Sequence, residues 1–308
     1  MLPSPGMFAA GLATLLFALS SVSAKRSVTL LGPATANLAR MTLATLVLAL
    51  LAHGFGVGLG GPSFGWFVVS GIIGFGICDT AIFLALPRLG AQLTSLMVQC
   101  LAAPIAAVTE WCWLGTRLPP GQWLAGCVIL AGVALALAPG RKSTPGIRVG
   151  WLGLAFGAIG AAGQAWGAVL SRHGQLLAQD AGYPMDGISV AYQRILAGLV
   201  FTVAWWFWMR SAGRAGPAAG DGPQWRPATP WVLVNALSGP SLGVAAYQWA
   251  LQRQATGVVM AITALTPLAV IPLAWWLDQE RPSRRSVAGG LLAVGGVVWL
   301  ALHPGSAG

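Results

Sequence analysis

Apolar residues run through this chain in stretches of about twenty, each closed by a short cluster rich in Gly, Pro and Arg. A helix needs roughly 20 mostly apolar residues to cross the hydrocarbon core of a bilayer. Ten stretches qualify: 7–24, 33–52, 64–86, 90–114, 121–139, 149–171, 187–209, 229–251, 256–277 and 284–302. The connections are mostly short. Only 172–186 and 210–228 are longer, and the second, with its Gly-Pro and Asp-Gly steps, reads as a surface loop. The pattern predicts an all-α integral membrane protein of ten transmembrane helices, with no segment long enough for a separate soluble domain.

The pattern also repeats. Pro104, Trp113, Leu114, Ala125, Gly126 and Gly132 return 163 residues later as Pro267, Trp276, Leu277, Ala288, Gly289 and Gly295. Arg26 and Arg172 close matching spans, Arg40 and Arg194 hold corresponding places in the second and seventh, and Gly74 matches Gly239. Ala-Leu-Pro-Arg at 85–88 stands against Ala-Leu-Gln-Arg at 250–253, and the offset drifts from 146 to 165 along the chain. Two copies of a five-helix unit are expected, over residues 1–140 and 149–303. An odd number of spans per copy inverts the second in the bilayer, an arrangement typical of secondary transporters, whose substrate site lies near the midplane between the halves.

Composition agrees with a membrane setting. Hydrophobic residues make up 56% of the chain and charged residues 8%, with mean hydropathy +0.73, where a soluble domain carries about 25% charge. A net charge of +10 raises nucleic acid as a partner, but the basic residues sit in loops without interleaved aromatics, so none is expected. Those loops carry orientation instead. Twelve basic residues (Lys25, Arg26, Arg88, Arg141, Lys142, Arg148, Arg210, Arg214, Arg226, Arg281, Arg284 and Arg285) follow odd-numbered spans, against three (Arg117, Arg172 and Arg253) on the other side. The positive-inside rule places the odd loops in the cytoplasm and both termini outside. Residues 7–24 end in Ser-Val-Ser-Ala, yet the basic residues follow this run rather than precede it, so it reads as a retained first span.

Cys78, Cys100, Cys112 and Cys127 all fall in apolar runs without ligand spacing and read as small buried residues, with no metal or cofactor expected. Gly56-Val-Gly58-Leu-Gly60-Gly61 matches a dinucleotide-binding pattern in form only, since no strand precedes it. It reads as a loop. No Walker A motif and no nucleophile–base–acid set is present, so neither ATP-driven transport nor enzymatic activity is expected.

The remaining candidates are polar residues inside the spans, where they are expensive and mark pathways. Gln92, Ser95, Gln99 and Glu110 form one stripe on the fourth span; Ser238, Ser241, Gln248 and Gln252 form another on the eighth. The sixth carries Gly153, Gly157, Gly160, Gln164, Gly167 and Ser171, a stripe that also suits close helix packing. Gln99, Gln164, Trp166, Tyr247, Gln248 and Thr263 are the expected substrate contacts. Asp79 and Glu110 are the acids within spans and the candidate proton carriers, with Arg40 or Arg88 as possible ion-pair partners for Asp79. Pro104 and Pro267 each remove a backbone hydrogen bond and are candidate kinks or gates. The histidines, His53, His173 and His303, fall at span ends and read as solvated, and most of the fifteen tryptophans read as an interfacial belt.

Two five-span halves, each with an Arg early in its second span, a Pro in its fourth and a Gly-rich fifth, resemble the drug/metabolite transporter superfamily of EamA type. The resemblance covers nearly the whole chain. Asp278-Gln279-Glu280-Arg281-Pro282 ahead of Gly289 and Gly295 is similar to the family's loop, whereas Arg117 stands where the first half usually has Glu. The resemblance implies a ten-helix, exporter-like carrier with a central cavity for amino acids or other metabolites. It also implies cytoplasmic termini, against the basic-residue distribution. A secondary transporter in the cell membrane, monomeric or homodimeric, is the expected function; a non-transporting membrane scaffold or sensor is the alternative.

Overall fold

The computed structural model describes residues 5–114, 120–137, 150–214, 216, 222–253, 256–278 and 283–302. The side chain of Glu110, Arg117, the loop residues Gln279 to Pro282 and His303 lie outside the described residues. Among the described residues the chain is all helical. In order come α1 (Pro5–Leu31), α2 (Pro33–Phe55), α3 (Phe64–Gly71), the π segment π1 (Ile72–Ile77), α4 (Cys78–Leu114) and α5 (Pro120–Leu137). Then follow α6 (Trp151–Asp180), α7 (Gly187–Ser211), α8 (Trp225–Ala236), the second π segment π2 (Leu237–Gly243) and α9 (Val244–Arg253). The chain closes with α10 (Thr256–Thr263), α11 (Thr266–Asp278) and α12 (Arg284–Leu302).

Among the described residues, five helical stretches are long and apolar enough to cross a membrane: Pro5–Leu31, Pro33–Phe55, Phe64–Trp113, Trp151–Asp180 and Gly187–Ser211. The third runs for 50 residues, about 75 Å at the helical rise. It is divided at Gly90, whose φ of 76° and ψ of 171° are non-helical. That break coincides with the boundary expected between 86 and 90. Apolar surface also faces outward: Leu50, Phe55, Val200 and Phe207 are all more than half exposed, as lipid-facing positions require.

Local chemistry sets the ends of the elements. Gly32, at φ 81°, turns the chain, and Pro33 starts α2 with its ring preset for a first helical turn. Asp186 caps α7 by accepting from the Ser189 N–H at 2.8 Å. The Gly56–Gly61 segment is a loop: Gly58 and Gly61 have positive φ. It is fastened to α7, where Gln193 Nε2 donates to the carbonyls of Gly58 and Gly60 at 2.9 and 2.8 Å.

Two expectations need correction. The sixth span does not stop at 171, because α6 continues as regular helix to Asp180 through the stretch assigned to a loop. Residues 172–180 contain no Gly-Pro or Asn-Gly step that would end it. His173 therefore lies on a helix, packed against the rings of Trp66 and Trp113 at 4.7 and 5.1 Å, and His53 stands edge-on to Tyr192 at 5.4 Å. Cys112 and Cys127 are exposed, while Cys78 and Cys100 are buried. Small size allows burial without requiring it.

Helix packing follows an exchange of halves. α6 lies along α4 and π1, and α1 lies along α8, π2 and α9. α2 packs on α7, and α5 on α12. Met41 abuts Gly198 while Thr35 accepts from Trp206 Nε1 at 3.2 Å, so α2 and α7 run antiparallel. Glycine permits the closest crossings. A Cβ on Gly132 would stand 2.5 Å from the Ala293 nitrogen, and one on Gly289 2.5 Å from the Ala136 nitrogen. On α6, Gly163 faces Cys78 and Gly167 faces Gly74, where a Cβ would meet atoms at 2.7 and 2.8 Å. The glycine stripe of α6 is a packing surface.

Candidate functional site

π1 and π2 both open onto one central cavity. The 165-residue shift that joins Gly74 to Gly239 also superposes the two π segments. A π turn inserts a residue, widens the backbone helix and recurs at functional sites. Gly74 and Phe75 of π1 and Gly239 and Pro240 of π2 line the cavity. Around them stand Phe17, Ser20 and Ser21 of α1, Arg40 of α2, Asp79 to Gln99 positions of α4, Gln164 and Ala168 of α6, Arg194 of α7 and Tyr247 of α9. The cavity measures about 120 Å³, several times the ~30 Å³ that a water takes up in the liquid. Both halves of the chain contribute walls.

Its charged core is an ion pair. Arg40 Nη2 donates to Asp79 Oδ2, with the two side chains 7% and 13% exposed. Arg40 Nε donates to Asn37 Oδ1 at 3.1 Å, and the guanidinium sits 4.6 Å from the Phe83 ring centre. Of the two partners expected for Asp79, the structure selects Arg40. Across the cavity Arg194 sits 5.3 Å from the Phe75 ring centre. Its Nη2 reaches the Gly167 carbonyl at 3.5 Å, where Gly74 leaves it space: a Cβ there would lie 3.0 Å from Nη2.

Neutral polar groups complete the walls. Ser20 donates to Asn235 Oδ1 at 2.7 Å, and Ser95 to the Ser21 hydroxyl at 2.9 Å. The Cys78 thiol lies 3.1 Å from the Gly160 carbonyl and 3.9 Å from Gln164 Oε1. The Thr94 hydroxyl is buried without a partner. In a bilayer such groups are retained where they face water or a ligand.

Of the residues singled out in the sequence, Asp79, Gln99, Gln164 and Tyr247 line this cavity. Trp166 does not. Two residues along a helix rotate a side chain about 200°, so Trp166 faces away from Gln164, is 46% exposed, and donates to Thr109 at 3.0 Å. Gln248 is fully buried and accepts from Gln175 at 2.6 Å on α6. Thr263 bonds back to the Val259 and Met260 carbonyls of its own helix. Pro104 lies within continuous helix, whereas Pro267 follows directly on the break at Ala264–Leu265 between α10 and α11. Of the charged cavity residues, sequence reasoning left Arg194 aside as a repeat landmark, while Arg40 enters it both as a landmark and as a possible partner of Asp79. A signal existed: of seventeen basic residues, Arg40 and Arg194 are the two in the interior of an expected span, Arg284 and Arg285 standing at the first two positions of theirs. Among the described residues no cluster of His, Cys, Asp and Glu is placed to hold a metal.

Comparison with known proteins gives the frame. No curated protein matches the sequence. A solved crystal structure, described only as that of a protein, shares the fold at a TM-score of 0.62 and 19% identity over 97% of each chain. The EamA-like transporter family model matches twice, at residues 4–138 and 151–302. With both segments matched and the helices apolar enough to span a bilayer, the chain is an integral membrane protein that belongs to the EamA-like transporter family.

Proposed function

We propose that the protein is a secondary carrier of the cell membrane that moves a small polar metabolite through the central cavity by alternating access. Ten crossings in two inverted five-helix halves form the frame: Gly90 divides the 50-residue stretch into two passes, and α8 to α9 and α10 to α11 each make one interrupted pass. The observation that carries this reading is the polar cavity walled by both halves, with an ion pair buried in it. A packing scaffold has no use for a buried ion pair and the unpartnered Thr94 hydroxyl at a cavity between its halves. The matched π segments and the break before Pro267 are places where helices can bend as the cavity changes the side on which it opens.

Gln99, Gln164 and Tyr247 are the proposed neutral contacts, supported by their position on the wall. Gln248, bonded to Gln175, supports the α9–α6 contact instead. Asp79 is the proposed coupling group. A proton arriving on its carboxyl competes directly with Arg40, so proton uptake and release of the ion pair become one event. Export follows from the family resemblance.

Reconstitution into proteoliposomes tests the proposal: flux of a metabolite from a broad panel is expected, accelerated by a pH gradient in the wild type and insensitive to it in Asp79→Asn. Under the scaffold or sensor reading, no compound moves and the Gln99→Ala and Gln164→Ala variants keep the cellular phenotype.

A further inference from the structure

The cavity holds more positive than negative charge. Among the described residues its charged lining side chains are two guanidinium groups, Arg40 and Arg194, and one carboxylate, Asp79. Asp79 is bridged by Arg40. One carboxylate offsets one cation however it is shared, which leaves the site one charge positive. Arg194 carries the excess. It is 7% exposed, its Nε has no acceptor, and Nη2 reaches the Gly167 carbonyl only at 3.5 Å. The Phe75 ring offers a diffuse attraction but no neutralising charge.

The imbalance has a position in the repeat. Each half supplies its arginine, at 40 and at 194. The shift that carries Gly74 to Gly239 carries Asp79 to Val244, and Val244 also lines the cavity. The second half thus keeps the cation and replaces the acid by an apolar side chain. A guanidinium stays ionised in proteins, and an isolated buried charge is strongly disfavoured. A site of this kind is completed by an anion brought in from outside.

We infer that the transported substrate carries a carboxylate-class negative group that docks on Arg194. The inference rests on the carrier reading above. The planar guanidinium fork suits a two-oxygen anion, and Thr94, whose buried hydroxyl has no partner, stands in the same wall. An inorganic anion would satisfy the charge equally. The Phe17, Phe75 and Phe83 walls select instead for an anion with a carbon skeleton.

The test uses purified full-length protein titrated with lactate, succinate and glutamate, alongside uncharged 1,2-propanediol, cationic putrescine and chloride. Thermal stabilisation and calorimetric binding are read for the wild type, Arg194→Gln and Arg194→Lys, with gel filtration reporting the fold. At least one carboxylate is expected to stabilise the wild type while propanediol, putrescine and chloride do not. Arg194→Gln weakens that binding by about thirtyfold or more, the cost of removing one partner of a buried charge pair. Arg194→Lys retains part of it, since the charge remains and the fork is lost. The wild-type comparison needs no variant to fold. Binding of the uncharged or cationic probe alone, chloride reproducing the full effect, or no carboxylate binding overturns the inference. Flux of the same probes in proteoliposomes separates the two readings: carboxylate binding without flux refutes the carrier and leaves the charge assignment, whereas putrescine flux unaffected by Arg194→Gln does the reverse.

Discussion

Arg40 and Asp79 stabilise each other because neither has access to bulk water, at 7% and 13% exposure. Removing one partner of a buried pair costs about 3–5 kcal/mol, while replacing both by apolar groups of similar volume is often neutral. Asp79→Ala is therefore expected to lower the thermal midpoint in detergent sharply, and Arg40→Met combined with Asp79→Leu to recover most of the loss. A single variant as stable as the wild type contradicts the pairing. The proposed substrate contacts divide in the same way: Gln164→Ala is expected to reduce flux at least severalfold, whereas Thr263→Ala, whose hydroxyl bonds its own helix, is expected to leave flux unchanged. Individual side chains were the hardest feature to read in advance. A polar residue within an apolar span signals a cavity or a helix contact with equal force, and only the angle around the helix separates Gln164 from Trp166, or Tyr247 from Gln248. Arg40 and Arg194 were visible as intramembrane charges, but their shared cavity required the antiparallel packing of α2 on α7.

Helices were far more legible. Twenty-residue apolar runs bounded by Gly, Pro and Arg correspond to the main helical stretches, because bilayer thickness dictates their length. The glycine stripe on α6 reads as a packing surface and is one, since Gly163 and Gly167 bring its backbone against Cys78 and Gly74. Gly167→Ala pushes a methyl to 2.8 Å from the Gly74 Cα and is expected to cost about 1–3 kcal/mol by overpacking, read as a lower melting temperature. Gly126→Ala meets nothing within 4 Å and is expected to be neutral or to stabilise α5 by up to about 1 kcal/mol. Equal effects at both positions contradict the packing assignment. The π turns were not legible, because an extra residue in a helical turn leaves no mark on hydropathy. Matched glycines at 74 and 239 were the only trace.

The molecule as a whole is organised by the exchange of its halves: α1 with α6, α2 with α7, α5 with α12, and π1 with π2. A duplication is expected from ordered landmarks along the sequence, and the family model matches twice, at 4–138 and 151–302. The basic loops and the family resemblance lead to opposite orientations, and on the basic loops both termini are expected outside. A fluorescent reporter fused to the C-terminus is then expected to stay dark where it must cross the membrane, and bright cytoplasmic fluorescence reverses that assignment. The central claim is that one cavity between the halves opens alternately to each side. Counterflow in proteoliposomes tests it most directly, with purified protein, vesicles preloaded with unlabelled substrate and the labelled compound outside. The account predicts transient uphill accumulation of label that depends on the preload and collapses in Gln164→Ala. Label that enters only down its gradient, unaffected by preloading, or no entry of any compound by folded protein, contradicts it.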